Sequence, residues 1–341
     1  METEEEMGAT RGIAILGGTG FIGLHLTRRL LRLPDVHITL VDNLSRGKLD
    51  AEVEALLASN SSVQFVEADL TDRSAVEGLG SGFDEVYLLA GMVGVRITQE
   101  APDRVAFVNA MIVLNVLEWL KAVPSTRLVY ASTSEAYAGA IGLGGHFHVP
   151  TDEDVLVAID DVRNPRSTYA ASKILGECAV MAHHQVHGLH AAVVRYHNVY
   201  GPRMGYEHVI PELSVRLLQG NDPCDVYGWD QTRAFCYVDD AVEGTMAVMA
   251  ADQAAGEIFH IGTDLETPIA ELAGALCRVA GVAPALGQLP APPGSVARRC
   301  PDISKARRVL DYAPTVNLEQ GLQATFAWYK AAYHADGTES R

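Results

Sequence analysis

Hydrophobic positions in the first half of the chain follow two alternating patterns. Short continuous apolar runs fall at 12–16, 36–41, 63–67, 85–90, 127–132 and 191–196. Between them lie longer stretches with helical spacing, at 21–33, 106–121 and 169–187. A run that is apolar at every position suits a strand buried on both faces. The pattern therefore predicts an α/β fold, a parallel sheet with helices on either side. Pro34 and Pro124 stop the first two helices. Beyond Tyr200 the alternation breaks at Gly201-Pro202. Further helices are expected at 211–219, 240–251 and 318–332, and strands at 235–238 and 258–261. The segment 138–166 reads as a long loop, a length that in compact domains often marks function. Residues 284–301 are Pro-rich and loop-like. The expected division is one large unit over 11–197, to which 234–265 returns. A smaller lobe, from 198–233 and 266–332, lies over the C-terminal edge of the sheet.

The 341 residues are 48% hydrophobic and 20% charged, enough for a large core. The formal charge of −17 argues against a nucleic-acid partner, which needs a basic footprint. An anionic ligand must be held by a few local arginines and backbone N–H groups, against the overall field. No apolar run approaches the ~18 residues of a membrane span, so no membrane partner is expected. Five cysteines, Cys178, Cys224, Cys236, Cys277 and Cys300, form no C-x-x-C pair and read as reduced thiols of a cytoplasmic protein. The N-terminus carries Glu2, Glu4, Glu5 and Glu6 without a basic or apolar region, which argues against a signal peptide. It is expected to fray.

The strongest local motif is Gly17-Gly18-Thr19-Gly20-Phe21-Ile22-Gly23, after a strand and opening a helix. Residues without Cβ let the backbone turn tightly and approach a pyrophosphate, whose charge meets the helix N-terminus. Asp42 ends the second strand, where a carboxylate binds both ribose hydroxyls of NAD and repels the extra phosphate of NADP. Arg46 close by pulls the other way. Asp69, at the end of the third strand, is placed to touch adenine, or else serves as a turn aspartate. Asn43, Leu70, Leu89 and Ala90 stand beside these strand ends and complete the expected cofactor set.

Tyr169 and Lys173 form Tyr-x-x-x-Lys on one helix face. An ammonium beside a phenol favours the phenolate, which makes Tyr169 a candidate base for a hydroxyl group. Ser132-Thr133-Ser134 ends the fifth strand, and Ser132 or Thr133 is placed to donate a hydrogen bond to the reacting oxygen. These groups would gather at the C-terminal end of the sheet, where open α/β folds bind ligands. A metal-hydrolase reading would use His183, His184, His187 and His190, but H-E-x-x-H is missing, so no metal is expected. A non-enzymatic NAD-binding regulator is a remote alternative, one that needs no poised base.

Over about residues 11–330 the sequence resembles the extended short-chain dehydrogenases/reductases of the nucleotide-sugar branch. The pieces are the glycine motif, Asp-Asn-Leu-Ser-Arg-Gly at 42–47, Ser-Thr-Ser-Glu-Ala-Tyr at 132–137 and Tyr-x-x-x-Lys at 169–173. Arg-Tyr-His-Asn-Val-Tyr-Gly-Pro-Arg at 195–203, a Val-Tyr-Gly segment from 226 and Arg-Cys-Pro-Asp-Ile at 299–303 complete them. The resemblance implies a Rossmann doubly wound parallel sheet with a smaller C-terminal substrate-binding lobe, and NAD as cofactor. It implies that Tyr196, with Tyr169 and Lys173, lies near the nicotinamide. It also implies that Asn198, Tyr227, Arg233 and Arg299 line a nucleotide-sugar site, and that 106–121 and 169–187 form a homodimer interface. In this branch the sugar is oxidised at C4, and the residues after Thr133 direct the fate of the keto intermediate. Ser134 is a far weaker acid than the Asp of a 4,6-dehydratase. Thr133-Ser134-Glu135 resembles UDP-glucuronate decarboxylases, in which the 4-keto acid loses carbon dioxide. The segments 89–95 and 197–200 resemble epimerases, of the UDP-sugar 4-epimerase or GDP-mannose 3,5-epimerase kind. Decarboxylation is the first reading and epimerisation the second, with Thr133, Glu135, Tyr169 and Lys173 as the catalytic set.

Overall fold

The computed structural model describes residues 10–123, 126–141, 148–292 and 295–335. The acidic N-terminus up to residue 9 and the helix stop at Pro124 lie outside the described residues, as do parts of the two expected loops, at 142–147 and 293–294.

Seven parallel strands form the central sheet. They are β1 (Arg11–Leu16), β2 (Val36–Asp42), β3 (Val63–Glu67), β4 (Glu85–Leu88), β5 (Arg127–Thr133), β6 (His190–Tyr196) and β7 (Ile258–Ile261). Their order is β7-β6-β5-β4-β1-β2-β3, so the chain reverses direction between β1 and β4. Ligands of open sheets bind outside the strand ends at such a switch point. Alternation along each strand splits the core. Ile13 and Ile15 join one hydrophobic cluster, with Leu24, Leu30, Val238 and Val242 of the helices Phe21–Leu30 and Val238–Ala250. Ala14 and Leu16 join the other, with Val113 and Leu117 of the helix Pro102–Leu120 and Val180 of the helix Ser167–His187. Both faces are covered, as the unbroken apolar runs require.

Several boundaries move. The fourth strand ends at Leu88, and the long helix begins at Pro102, whose fixed φ suits a first helical turn. The helix Ser167–His187 ends on Gly188 at φ +68°, a left-handed cap. The expected loop at 138–166 opens with a 3-10 turn, Ser134–Ala140. Helices Ala51–Ser59, Arg73–Glu77, Val95–Glu100, Ile269–Ala280 and Ser304–Leu310 are additions to the expected pattern. Ile269–Ala280 buries Ile269, Leu272, Ala273, Leu276 and Cys277, one helical face, against Val209–Leu218 and Leu318–Ala335.

Three small sheets shape the C-terminal part. Thr232–Ala234 pairs antiparallel with Glu266–Pro268 and parallel with Arg298–Arg299. Cys224–Tyr227 pairs with Leu286–Leu289, and Val199–Tyr200 with Cys236–Tyr237. The Pro-rich stretch thus contains two strands rather than loop alone. Thr151 donates its N–H to the Cys300 carbonyl at 2.9 Å, and its own carbonyl accepts from Asp302 N at 2.7 Å. These bonds anchor the long loop beside Arg299.

Within the sheet, Arg195 makes a bidentate pair with Glu177 at 2.9 and 2.7 Å. The side chains are only 2% and 6% exposed. Ser132 donates to the same carboxylate at 2.5 Å. Removing one member of such a pair strands the other charge. Glu177→Gln is expected to lower the unfolding free energy by about 3–5 kcal/mol, read from urea denaturation. A midpoint equal to wild type would contradict this account of the pair.

Candidate active site

The glycine turn joins β1 to the helix Phe21–Leu30. Gly17 has φ +90°, and a Cβ there would stand 2.7 Å from the Ala90 nitrogen, so only glycine permits the strand ends to close up. Ala90 N and Leu89 N both donate to the Leu16 carbonyl, at 2.7 and 2.9 Å. Gly20 caps the helix without a side-chain hydrogen bond, leaving first-turn N–H groups to meet an anion. Phe21 packs edge-on against His25, and Ile22 against the core. Asp42 ends β2, and its Oδ1 accepts the Leu44 N–H at 3.0 Å. Asn43 likewise holds the Ser45 N–H at 3.1 Å. Asp69 Oδ1 accepts from both Thr71 N and Thr71 Oγ1, at 2.9 and 2.8 Å, so this carboxylate serves its own turn. Leu70 is buried behind it. The bare helix N-terminus, the close approach at Gly17 and Asp42 at the strand tip fit a dinucleotide such as NAD.

At the ends of β5 and β6, Thr133 and Tyr196 are register partners. Thr133 acts on half-buried Tyr169, which comes down from the first turn of the helix Ser167–His187, and favours its ionised form. Ser132, one residue earlier, points to the opposite face and is consumed by Glu177. Of the two hydroxyls considered from sequence, only Thr133 reaches the site, because side chains alternate along a strand.

Lys173 is tied to the backbone of β5. Its Nζ donates to the Ala131 carbonyl at 2.8 Å and lies over the Tyr130 ring, 5.0 Å from its centroid. Burial draws its pKa down to about 8, with Glu177 opposing. Tyr169 is correspondingly not held low. Burial pushes it well above the ordinary phenol value and the Glu135 carboxylate pushes the same way, while Thr133 and Arg46 pull it down.

Glu135 follows in the 3-10 turn. Its Oε1 accepts from Arg299 Nη1 at 2.5 Å, with Arg299 almost wholly buried. Burial would raise this carboxyl, but Arg299, Arg166 and Arg233 outweigh it and hold Glu135 below its usual range. Arg299 and Arg233 are register partners on adjacent strands. Burial and the Arg299 charge bring Arg233 down to about 10. Arg166, at the N-cap of the helix that carries Tyr169, is a neighbour that motif reading passed over.

Thr133, Glu135, Tyr169, Arg233 and Arg299 therefore converge. Asn198 adopts φ +41° and donates Nδ2 to the Ala234 carbonyl at 3.2 Å, next to Arg233. Tyr196 directs its hydroxyl to Thr245 Oγ1 at 2.7 Å. Tyr227 stands apart, exposed at its strand end, with the Arg216 guanidinium 5.2 Å from its ring centroid. Asn109 is another residue that motifs passed over. Buried in the helix Pro102–Leu120, it bonds Met92 at both N–H and carbonyl and the Ser172 hydroxyl, fixing the backbone after β4. Among the described residues no group of three or more His, Cys, Asp or Glu is placed to hold a metal ion. His183 and His187 lie with ring centroids 5.2 Å apart and planes tilted by 50°.

Residues 13–262 match the model of the NAD dependent epimerase/dehydratase family. A UDP-N-acetyl-alpha-D-glucosaminuronate decarboxylase of Bacillus cytotoxicus is 33% identical over 327 residues, 93% of this chain and 97% of its own length. UDP-glucuronic acid decarboxylase 6 of Arabidopsis thaliana is 30% identical over 312 residues, covering 91% of this chain and 86% of its own. The crystal structure of UDP-glucuronic acid 4-epimerase from Bacillus cereus, in complex with UDP-glucuronic acid and NAD, superposes with a TM-score of 0.83 at 29% identity. That match covers 94% of this chain and 100% of the other. The chain belongs to the NAD-dependent epimerase/dehydratase family. Its fold, its cofactor and its placement in the nucleotide-sugar branch agree with the expectations from sequence.

The lysine offers a direct test. Its folded pKa of about 8 lies below the ordinary value of about 10.4. Between those pH values the unfolded chain holds a proton that the folded chain lacks, so this group's contribution to stability rises with pH. The expected gain is up to about 3 kcal/mol. Wild type should gain stability over Lys173→Met between about pH 7.5 and about pH 9.5, measured by thermal denaturation. A difference independent of pH would show that the buried lysine is not perturbed.

Proposed function

We propose that the chain binds a UDP-sugar bearing a carboxylate and decarboxylates it after oxidation at C4. One observation carries this reading: Arg299, nearly buried, holds the Glu135 carboxylate at 2.5 Å with Arg233 as its register partner on the adjacent strand, next to Thr133 at the end of β5. The paired guanidinium forks of Arg299 and Arg233 suit a diphosphate or a sugar acid. The decarboxylase relatives, one acting on UDP-N-acetylglucosaminuronate, support the same direction.

Gly17, Gly20, the following helix turn and Asp42 would hold NAD, with Leu89 and Ala90 lining the strand ends. NAD supplies a hydride acceptor and a cationic ring when bound. Tyr169 takes the proton of the C4 hydroxyl, and Thr133 holds that oxygen in line. The resulting 4-ketone accepts the electron pair released as carbon dioxide leaves, so no strong base is needed. Arg299 orients the carboxylate. Glu135 is ionised and paired with Arg299, so the proton that the enolate takes up at C5 comes from water rather than from this carboxyl. Asn198, Arg233 and Tyr227 would hold the nucleotide and diphosphate, in a lobe formed by 198–233 and 266–332.

A second reading is C4 epimerisation with the carboxylate retained, in which Glu135 would only position Arg299, in keeping with the Bacillus cereus neighbour. We also assign a homodimer packed through the helices Pro102–Leu120 and Ser167–His187, where Phe107, Leu114, Leu175 and Val186 are exposed. All five cysteines are free thiols, in line with a reduced cytoplasmic setting. No helix among the described residues is long and apolar enough to cross a membrane.

The test is a reaction with UDP-glucuronate and NAD in deuterium oxide. Carbon dioxide and one deuteron at C5 are expected, and Tyr169→Phe should reduce turnover by at least ~100-fold. A sugar acid inverted at C4, with no gas and no exchange, would replace the decarboxylase reading with the epimerase one.

A further inference from the structure

The turn that follows Val199–Tyr200 is held from several sides. A Cβ on Gly201 would stand 2.5 Å from Val238 Cγ1. The Pro202 carbonyl accepts from the His25 ring at 3.1 Å, and the Met204 carbonyl from the Tyr329 hydroxyl. Between them Arg203 has φ +69°, in the left-handed region. At comparable angles, +68°, +71° and +73°, the chain elsewhere uses Gly188, Gly220 and Gly281. A side chain held at such an angle carries strain, and residues of this kind gather at ligand clamps.

The strained turn sends the guanidinium back over the glycine motif, with the Arg203 side chain only 8% exposed. Nη1 donates to the Thr19 carbonyl at 2.8 Å and to the Gly20 carbonyl at 3.3 Å. Nη2 donates to the Lys48 carbonyl at 3.1 Å, and Nε to Asp50 Oδ2 at 2.7 Å. Asp50 also caps the helix Ala51–Ser59 by accepting the Val53 N–H. One guanidinium thus joins the glycine turn to the loop that follows Asp42. The two loops touch: a Cβ on Gly47 would stand 2.1 Å from Thr19 Oγ1 and 2.7 Å from Asp42 Oδ2.

We propose that Arg203 is a positioning residue for NAD: by holding the Thr19 and Gly20 carbonyls, its guanidinium aims the first N–H groups of the helix Phe21–Leu30 at the cofactor's diphosphate. The inference rests on NAD lying at the glycine turn, and not on the sugar reaction. A trans peptide sets its N–H opposite its C=O, so fixing a carbonyl fixes the N–H of the next residue. The two carbonyls that Arg203 takes orient the N–H groups of Gly20 and Phe21. That of Gly20 returns to the Gly17 carbonyl at 3.2 Å and closes the turn. That of Phe21 opens the helix, in the first turn, whose N–H groups have no acceptor within the helix. A cation at a helix start runs against the helix dipole. Asp50 offsets it in part, and a bound diphosphate offsets the rest. A turn that served only as a connection would be better built with glycine at 203.

The experiment uses full-length wild type, Arg203→Gly, Arg203→Lys and Asp42→Ala. NAD and ADP-ribose affinities are read by calorimetry well below the unfolding range, and the urea midpoint of each variant is read separately. Glycine accepts φ +69° without strain, so Arg203→Gly removes the guanidinium and keeps the turn. It should weaken NAD and ADP-ribose by the same factor, at least ~10-fold. Arg203→Lys, which keeps the charge but reaches fewer acceptors, should recover part of the loss. A lowered urea midpoint with NAD affinity within about twofold of wild type would make the arginine purely structural and overturn the proposal. A loss confined to NAD, with ADP-ribose unaffected, would also overturn it, because the effect would then lie at the nicotinamide end. Asp42→Ala separates the inference from its premise. If it leaves NAD affinity unchanged, the cofactor does not lie at this strand end and the proposal falls with that placement. If it weakens NAD while Arg203→Gly does not, the placement stands and the role of Arg203 alone is refuted.

Discussion

The contact on which the rest of this molecule turns is the 2.5 Å pair between Glu135 and Arg299. Glu135 belongs to the turn that prolongs β5, and Arg299 to a two-residue strand far along the chain, at a sequence separation of 164. Their meeting fixes where the small sheets sit over the large one. It draws Arg233 alongside through the shared register of Arg298–Arg299 and Thr232–Ala234. It also lies against the Thr151 bridge that pins the long loop. A half-exposed carboxylate facing a nearly buried guanidinium is a partly desolvated pair, so its charges act strongly on whatever enters between them.

That electrostatic arrangement sets the chemistry available. Glu135 raises the phenol of Tyr169, as burial does, and the phenol of the free protein is protonated at neutral pH. Base strength must be released by positive charge arriving at the right place. Lys173 is anchored to the Ala131 carbonyl. A substrate carboxylate that competes for Arg299 would change the field around Glu135 and Tyr169 together, tying substrate identity to the protonation state of the base.

Much of the fold is legible in the sequence because buried parallel strands write their position as unbroken apolar runs. β1, β2, β5 and β6 fall where those runs do. The glycine turn and the Tyr169-Lys173 spacing carry their own local reasons. The contacts that escape are those that no local pattern encodes. Ser132 and Thr133 are equivalent as letters, and only the pleat, with Glu177 waiting on one face, separates them. Arg46 stands in sequence beside Asp42, but its partner Val93 comes from a different loop. Asn109 bonds Ser172 of a helix distant in sequence, and Arg166 acts on Glu135 by its charge, and no motif marks either. The helix Ile269–Ala280 does carry a clear apolar face, which its Pro-rich neighbourhood obscures.

The central claim is that the guanidinium cluster selects a nucleotide-sugar with an acidic sugar. Calorimetric titration of UDP-glucuronate and UDP-glucose into NAD-loaded Tyr169→Phe protein measures this without turnover. One charge-assisted hydrogen-bonded contact should favour UDP-glucuronate by about tenfold or more, and Arg299→Met should erase most of that preference. Equal affinities for the two ligands, with no effect of Arg299→Met on their ratio, would contradict the account.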